Sequence, residues 1–172
     1  MLQLSESLLN RPVLSLRAGG TVATATEALI NPNNLKIEGF YCQDIDRRTV
    51  ILLYQDIRDI IPQGFIVNDL DVLAEPSELV RLKELMDIRF SLLGKPVVTV
   101  SKEKLGKVSD FATETTTMYI QKLYVSQSLL KNITSGNLGI DRNQIVEITE
   151  KQIIVQDLLQ PTRVPAGARA TA

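Results

Sequence analysis

Apolar and polar positions along the chain alternate in short runs, interrupted by glycine, proline or charged pairs. That pattern predicts strands more often than helices. Met118-Tyr119-Ile120-Gln121-Lys122-Leu123-Tyr124-Val125 and Ile145-Val146-Glu147-Ile148-Thr149 are rich in β-branched and aromatic residues. Gln152 to Gln156 follows the polar pair Glu150-Lys151, which is short enough for a hairpin turn. Leu35 to Cys42 and Thr49 to Tyr54 flank the polar stretch Gln43 to Arg48 and predict a second hairpin. Helical spacing is clear in one place. Leu79, Leu82, Leu85 and Met86 form an apolar stripe, Pro76 suits a first turn, and Glu75, Glu78 and Arg89 suit the helix dipole. These residues predict one amphipathic helix over 75–90. A weaker helical turn is expected from Ser126 to Lys131, and a disordered tail over 159–172.

The chain also repeats itself. Leu9-Asn10-Arg11-Pro12-Val13-Leu14-Ser15-Leu16 lies over Leu93-Gly94-Lys95-Pro96-Val97-Val98-Thr99-Val100. A small-residue turn follows each, Ala18-Gly19-Gly20 in one and Leu105-Gly106-Lys107 in the other. Arg58 to Ile61 then lies over Asn143 to Val146, and Phe65 to Asp69 over Ile153 to Asp157. Three matches in the same order point to duplication. The expected architecture is mainly β, with two small barrels in tandem: residues 7–74, a linker helix over 75–90, and residues 91–158. A barrel covers its own strand edges and needs only a small core, which suits units of this size.

The repeat unit resembles the PRC-barrel domain. That small β-barrel is shared by the cytoplasmic part of the photosynthetic reaction centre H subunit and the C-terminal part of the bacterial ribosome maturation factor. The second copy carries the resemblance best, in Leu93-Gly94-Lys95-Pro96-Val97-Val98, Leu105-Gly106-Lys107-Val108-Ser109-Asp110 and Ile145-Val146-Glu147-Ile148. In the first copy Asn10 stands where the opening glycine would be, and Gly20-Thr21-Val22-Ala23-Thr24 lacks the aspartate. The resemblance implies an assembly module that docks on larger complexes, with no common enzymatic activity and no cofactor. Gly94, Gly106 and Asp110 have a structural role on this reading, as turn residues.

Composition narrows the chemistry further. The 172 residues include no His and one Cys. A histidine general base, a Ser-His-Asp or Cys-His nucleophile system and His-ligated zinc are therefore excluded. Cys42 cannot form an internal disulfide, and its apolar strand Gly39-Phe40-Tyr41 predicts a small buried hydrophobe. No glycine-rich phosphate loop of either common type is present. Asp44 with Asp46, and Asp69 with Asp71, would share a face if extended and could bind Mg²⁺, but solvated loops are the favoured reading of both pairs. No signal-peptide pattern or long apolar run appears, so a cytoplasmic protein is expected.

Charge divides the chain. Residues 1–86 carry 8 basic and 12 acidic groups, and residues 87–172 carry 11 and 8. Lys102, Lys104 and Lys107 gather around one turn of the second copy and are the candidate partner-binding residues. A calculated pI of 5.6 and the absence of interleaved aromatics argue against direct nucleic-acid binding. The sequence thus predicts a non-catalytic module with a protein partner and without metal. The alternatives are a ribosome- or RNA-associated maturation-type factor, a subunit bound to a membrane complex, and a small-ligand-binding protein.

Overall fold

A computed structural model describes residues 1–127 and 137–157. The expected tail over 159–172 lies outside the described residues, and so does the turn expected near Ser126 beyond Gln127. Within the described residues the chain is mainly β, as the alternation predicts.

After β1 (Leu2–Leu4) and the single turn α1 (Ser5–Leu8), the first half builds β2 (Arg11–Ser15), β3 (Gly20–Asn31), β4 (Lys36–Asp44), β5 (Thr49–Leu53), β6 (Asp59–Ile61) and β7 (Gly64–Val67). β8 (Leu73–Ala74) and α2 (Lys83–Ile88) follow. The second half builds β9 (Pro96–Thr99), β10 (Lys104–Glu114), β11 (Tyr119–Ser126), β12 (Leu138–Asp141), β13 (Ile145–Ile148) and β14 (Ile153–Val155). β2 pairs antiparallel with β3 and parallel with β7, β3 pairs with β4, β4 with β5, and β6 with β7. β9 to β14 pair in the same order and directions.

The longest strands, β3 and β10, bend at a bulge after Ala25 and after Val108. A bulge adds one residue, so the parity of inward positions changes there and the strand keeps its apolar side inside while it curves. Ala23 and Ala25 are buried before the bulge, Ala28 and Ile30 after it. The extra residues are Thr26 and Ser109, whose hydroxyls donate to the carbonyls of Tyr41 and Tyr124, each at 3.1 Å.

The sheet does not close into two barrels. Its main path runs β13-β14-β9-β10-β11-β4-β3-β2-β7-β6 and stays open. No ladder joins β5 to β6 or β12 to β13. A 3₁₀ turn stands at each break, Tyr54–Asp56 and Arg142–Gln144, and turns the chain before the next strand can pair. The halves are joined instead where β4 meets β11, at Lys36 opposite Tyr119. There Ile37 donates its N–H to the Met118 carbonyl at 2.8 Å, and Ile120 donates to Leu35 at 2.9 Å. Leu35 and Met118 each adopt a left-handed conformation, with φ of 53° and 59°. That conformation costs a non-glycine residue about 1–2 kcal/mol. Burial of a leucine or methionine side chain contributes about 1.5–3 kcal/mol and offsets it, and both side chains are buried here.

The expected helix over 75–90 is broken. Pro76–Glu78 and Val80–Leu82 are 3₁₀ turns, and only Lys83–Ile88 is α-helical. Leu79, at φ −94° and ψ 66°, interrupts the helix. Glu78 to Leu82 line a shallow groove with Leu53 and Tyr54, so packing on the end of β5 overrides helix propensity here. The stripe itself survives: Leu79, Leu82, Leu85 and Met86 are half-buried. Glu75 and Glu78 form a capping box around Pro76.

Each half is completed by a segment preceding the other. β1 pairs with the end of β10, and α2 packs on β3. One core results, running from Leu8, Phe40 and Phe65 to Phe111, Leu123 and Ile153. Phe40 and Phe65 pack with their ring centroids 4.7 Å apart and their planes tilted by 40°.

Two predictions follow from backbone and core geometry. A Cβ on Gly106, at φ +138°, would stand 2.0 Å from the Ser126 carbonyl oxygen, whereas one on Gly94, at φ +80°, meets nothing within 4 Å. Gly94→Ala should therefore cost about 1–2 kcal/mol for conformation alone. Gly106→Ala should cost clearly more, about 3 kcal/mol or above, because the β10–β11 ladder must also open. Urea unfolding of both variants checks the order. Thr113 is buried and its hydroxyl has no hydrogen-bond partner among the described residues. Thr113→Val should raise stability by about 1 kcal/mol, read as a higher denaturation midpoint.

Candidate functional site

The three lysines lie at one end of the second half. Lys102 sits in the β9–β10 turn at φ 68°, and Lys104 opens β10. Lys104 and Lys107 are three apart and would face opposite ways in a regular strand. The register shift between Lys104 and Gly106 places them opposite Val98 and Pro96, two residues apart on β9, so both point to the outer face. All three are exposed. Among the described residues no carboxylate is within salt-bridge distance of them.

The turn beneath them is built from side chains. Thr99 is buried, and its hydroxyl accepts the Glu103 N–H at 3.1 Å. Asp157 accepts from the Ser101 hydroxyl at 2.6 Å, and that bond holds its carboxyl below the usual range. The β2–β3 turn of the first half is made the same way: buried Ser15 accepts the Ala18 N–H at 3.1 Å, and Asp69 accepts from Arg17 at 2.6 Å. Arg17 holds the Asp69 carboxyl down. Arg11 donates to the Pro62 carbonyl at 2.6 Å and Lys95 to the Glu150 carbonyl at 2.7 Å, each reaching the turn of the neighbouring hairpin.

The turn residues Gly94, Gly106 and Asp110 separate by cause. Gly94 is left-handed, and Asn10 takes the same conformation at φ 57° in the first half. Asparagine tolerates this region better than most residues, so the substitution leaves the turn intact. Gly106 is required by the closeness of Ser126, and it lies opposite Val97 as Ala23 lies opposite Val13. Ala23, and not Gly20, is its counterpart. Asp110 follows the bulge at Ser109, as Glu27 follows the bulge at Thr26, so the first half does carry an acid at this position. Asp110 accepts from the Ser5 N–H at 3.0 Å, the Ser5 hydroxyl and the Phe111 N–H at 2.7 Å, which fastens α1 to β10.

At the corresponding end of the first half lies an open groove of about 690 Å³. Val22, Val50, Leu70, Leu73, Ile45 and Pro76 give it an apolar lining, with Asp44, Asp46, Glu75 and Arg48 around them. Ile45 is 79% exposed although it is a large aliphatic residue. Sequence reading missed this groove. The available signal was Ile45 itself, an apolar side chain in an otherwise polar turn.

One member of each acidic pair is tied into a turn. Asp44 accepts the Asp46 and Arg48 N–H groups at 2.9 and 2.8 Å and the Arg48 Nε at 3.0 Å. The Arg48 N–H is the main cause that holds its carboxyl down. Asp44 is thus the closing residue of the hairpin turn. Asp69 caps the 3₁₀ turn Leu70–Val72 through the Leu70 N–H. Among the described residues no three carboxylate or thiol groups converge as a metal-ligand set. Cys42 is buried, and burial pushes its thiol up to about 12.

Lys36 and Arg142 brace the junction. Lys36 lies 4.0 Å from the Tyr54 ring centroid and donates to its hydroxyl, while Arg142 lies 4.9 Å from the Tyr119 ring. Arg142 also donates to the carbonyls of Ile120, at 3.1 Å, and Asn34. These cations hold the two halves together and are not open to a ligand in the same way as the lysine turn.

No family model matches the chain, and no curated protein matches it at a significant level.

Two measurements test the assignments. Cys42 should resist thiol reagents at neutral pH and react only as the chain unfolds. Because its folded pKa lies above the unfolded value, its contribution to stability is complete below about pH 8.5 and is lost as pH rises toward 12. Cys42→Ala should remove that alkaline component of the stability profile. Asp110→Ala leaves the Ser5 N–H and hydroxyl without their acceptor and should cost about 1–3 kcal/mol. Amide exchange over residues 2–8 should accelerate more than exchange in the first-half sheet.

Proposed function

We propose that the chain is a non-catalytic protein-interaction module of two PRC-type units, docking on a larger cytoplasmic assembly. The observation that carries this reading is the twofold occurrence of one pairing scheme with different outer surfaces. Inside, β2 to β7 and β9 to β14 share ladders, bulge positions and turn bonds. Outside, one unit ends in an acidic apolar groove and the other in three exposed lysines. Shared scaffolding with divergent faces supports recognition of two different surfaces. Cys42 and Asp44, the groups nearest to candidate chemistry, are tied into core and turn.

A ribosome- or RNA-associated role is the second reading. The bulge that brings Lys104 and Lys107 onto one outer face favours it. Such a face meets phosphates or acidic protein by the same electrostatics. Among the described residues no helix is long and apolar enough to cross a membrane, so a membrane-complex role would run through a protein partner.

Sedimentation of the native protein in a lysate gradient, with and without RNase and beside a membrane pellet, separates these readings. Comigration with a defined assembly that survives RNase supports the protein-docking module. Comigration that RNase abolishes supports the second reading. Replacing Lys102, Lys104 and Lys107 by Glu should release the chain in either case. A chain that stays in the light fractions counts against both.

A further inference from the structure

We propose that the acidic groove of the first half receives the lysine turn of a second copy of this chain, head to tail. The groove has an apolar floor of Val22, Val50 and Leu73 and carries Asp46 and Glu75 on its walls. Arg48 already engages Asp44 at 3.0 Å and reaches Asp46 only at 3.4 Å, so the net charge of the lining is negative. The lysine turn offers the complement. Val100 projects there, 57% exposed, ahead of Lys102 and Lys104. Two acids lie nearby: Glu103 between the lysines, and Asp157, whose carboxylate is turned onto Ser101.

The two surfaces cannot meet within one chain. β4 and β11 leave the junction in opposite directions because they pair antiparallel through their first residues. The groove gathers around the far end of β4 and the start of β3. The lysine turn precedes β10, whose start pairs with the far end of β11. Acidic groove and lysine turn therefore sit at opposite ends, each without its complement among the described residues. A contact between unlike surfaces is heterologous, and successive copies extend a chain or close a ring. This contact is independent of the docking reading above, since it needs no foreign partner.

Sedimentation equilibrium on the purified full chain provides the test. At protein concentrations up to about 1 mM, enough to half-fill a contact of millimolar Kd, the average mass should rise with concentration at about 0.02 M salt. It should fall toward the monomer at about 0.5 M salt, where screening is short-ranged. Lys102→Glu with Lys104→Glu and Lys107→Glu should weaken association about tenfold or more, and so should Asp46→Lys with Glu75→Lys. Mixed in equal amounts, the two variants should associate again in alternation, because the acidic turn of one meets the basic groove of the other and the lysine turn of the second meets the acidic groove of the first. Recovery in the mixture also certifies that both variants are folded. A wild-type chain that stays monomeric at low salt, association indifferent to either reversal, or a mixture that remains monomeric would overturn the proposal.

Discussion

Ile37 and Ile120 each donate a backbone hydrogen bond across the point where β4 meets β11, and the rest of the architecture follows from that contact. Each half, left alone, would be a curled sheet with open edges at β6 and β8 or at β12 and β13. The junction converts both into one continuous sheet over a common core. Its geometry is fixed by two non-glycine residues held in the left-handed region, Leu35 and Met118, whose side chains are buried. Lys36, Tyr54, Tyr119 and Arg142 surround the same point with cation–π contacts. Because the strands diverge from there, everything built at their far ends faces away from its counterpart.

The two halves agree where covalent geometry is demanding and differ where solvent is. Thr26 and Ser109 fill the same bulge with a short hydroxyl side chain that can reach a carbonyl on the next strand. Arg11 and Lys95 tie the same pair of turns. Outside these bonds the surfaces part: Arg17 pairs with Asp69 in one turn, and Ser101 takes that place against Asp157 in the other. Core substitutions are volume-adjusted, with Phe40 and Phe65 in one half and Leu123 and Ile153 in the other. Phe40 faces Ala28 across its ladder where Leu123 faces Phe111, so each pair keeps one aromatic ring on a different strand.

Much of this was legible in the sequence, and the failures share a cause. Hairpins around Gln43–Arg48 and Glu150–Lys151 were readable because polar turns separated apolar runs. β3 and β10 were not read as strands, although they are the longest. Alanine dominates the buried side of β3, and the bulges at Thr26 and Ser109 break the period of two on which strand reading depends. The same bulges hid the match of Glu27 with Asp110. The broken helix before the second half failed differently: its apolar stripe was real, but packing of Leu79 and Leu82 beside Leu53 and Tyr54 set the backbone. The lysines were visible as residues. That Lys104 and Lys107 share a face was not, because only the register shift at Leu105 puts them there.

Synthesis must accommodate the way β1 and α1 complete the second half. Ser5 is bonded to Asp110, 105 positions later in the chain. At about 5–20 residues per second, the ribosome delivers that acceptor roughly 5–20 s after Ser5 is made. Throughout that interval the apolar edge at Leu2 to Leu4 has no native strand beside it, although β2 to β7 can already pair among themselves. The nascent chain therefore carries β1 without its partner until β10 has been made, whereas β2 to β7 can pair as they emerge.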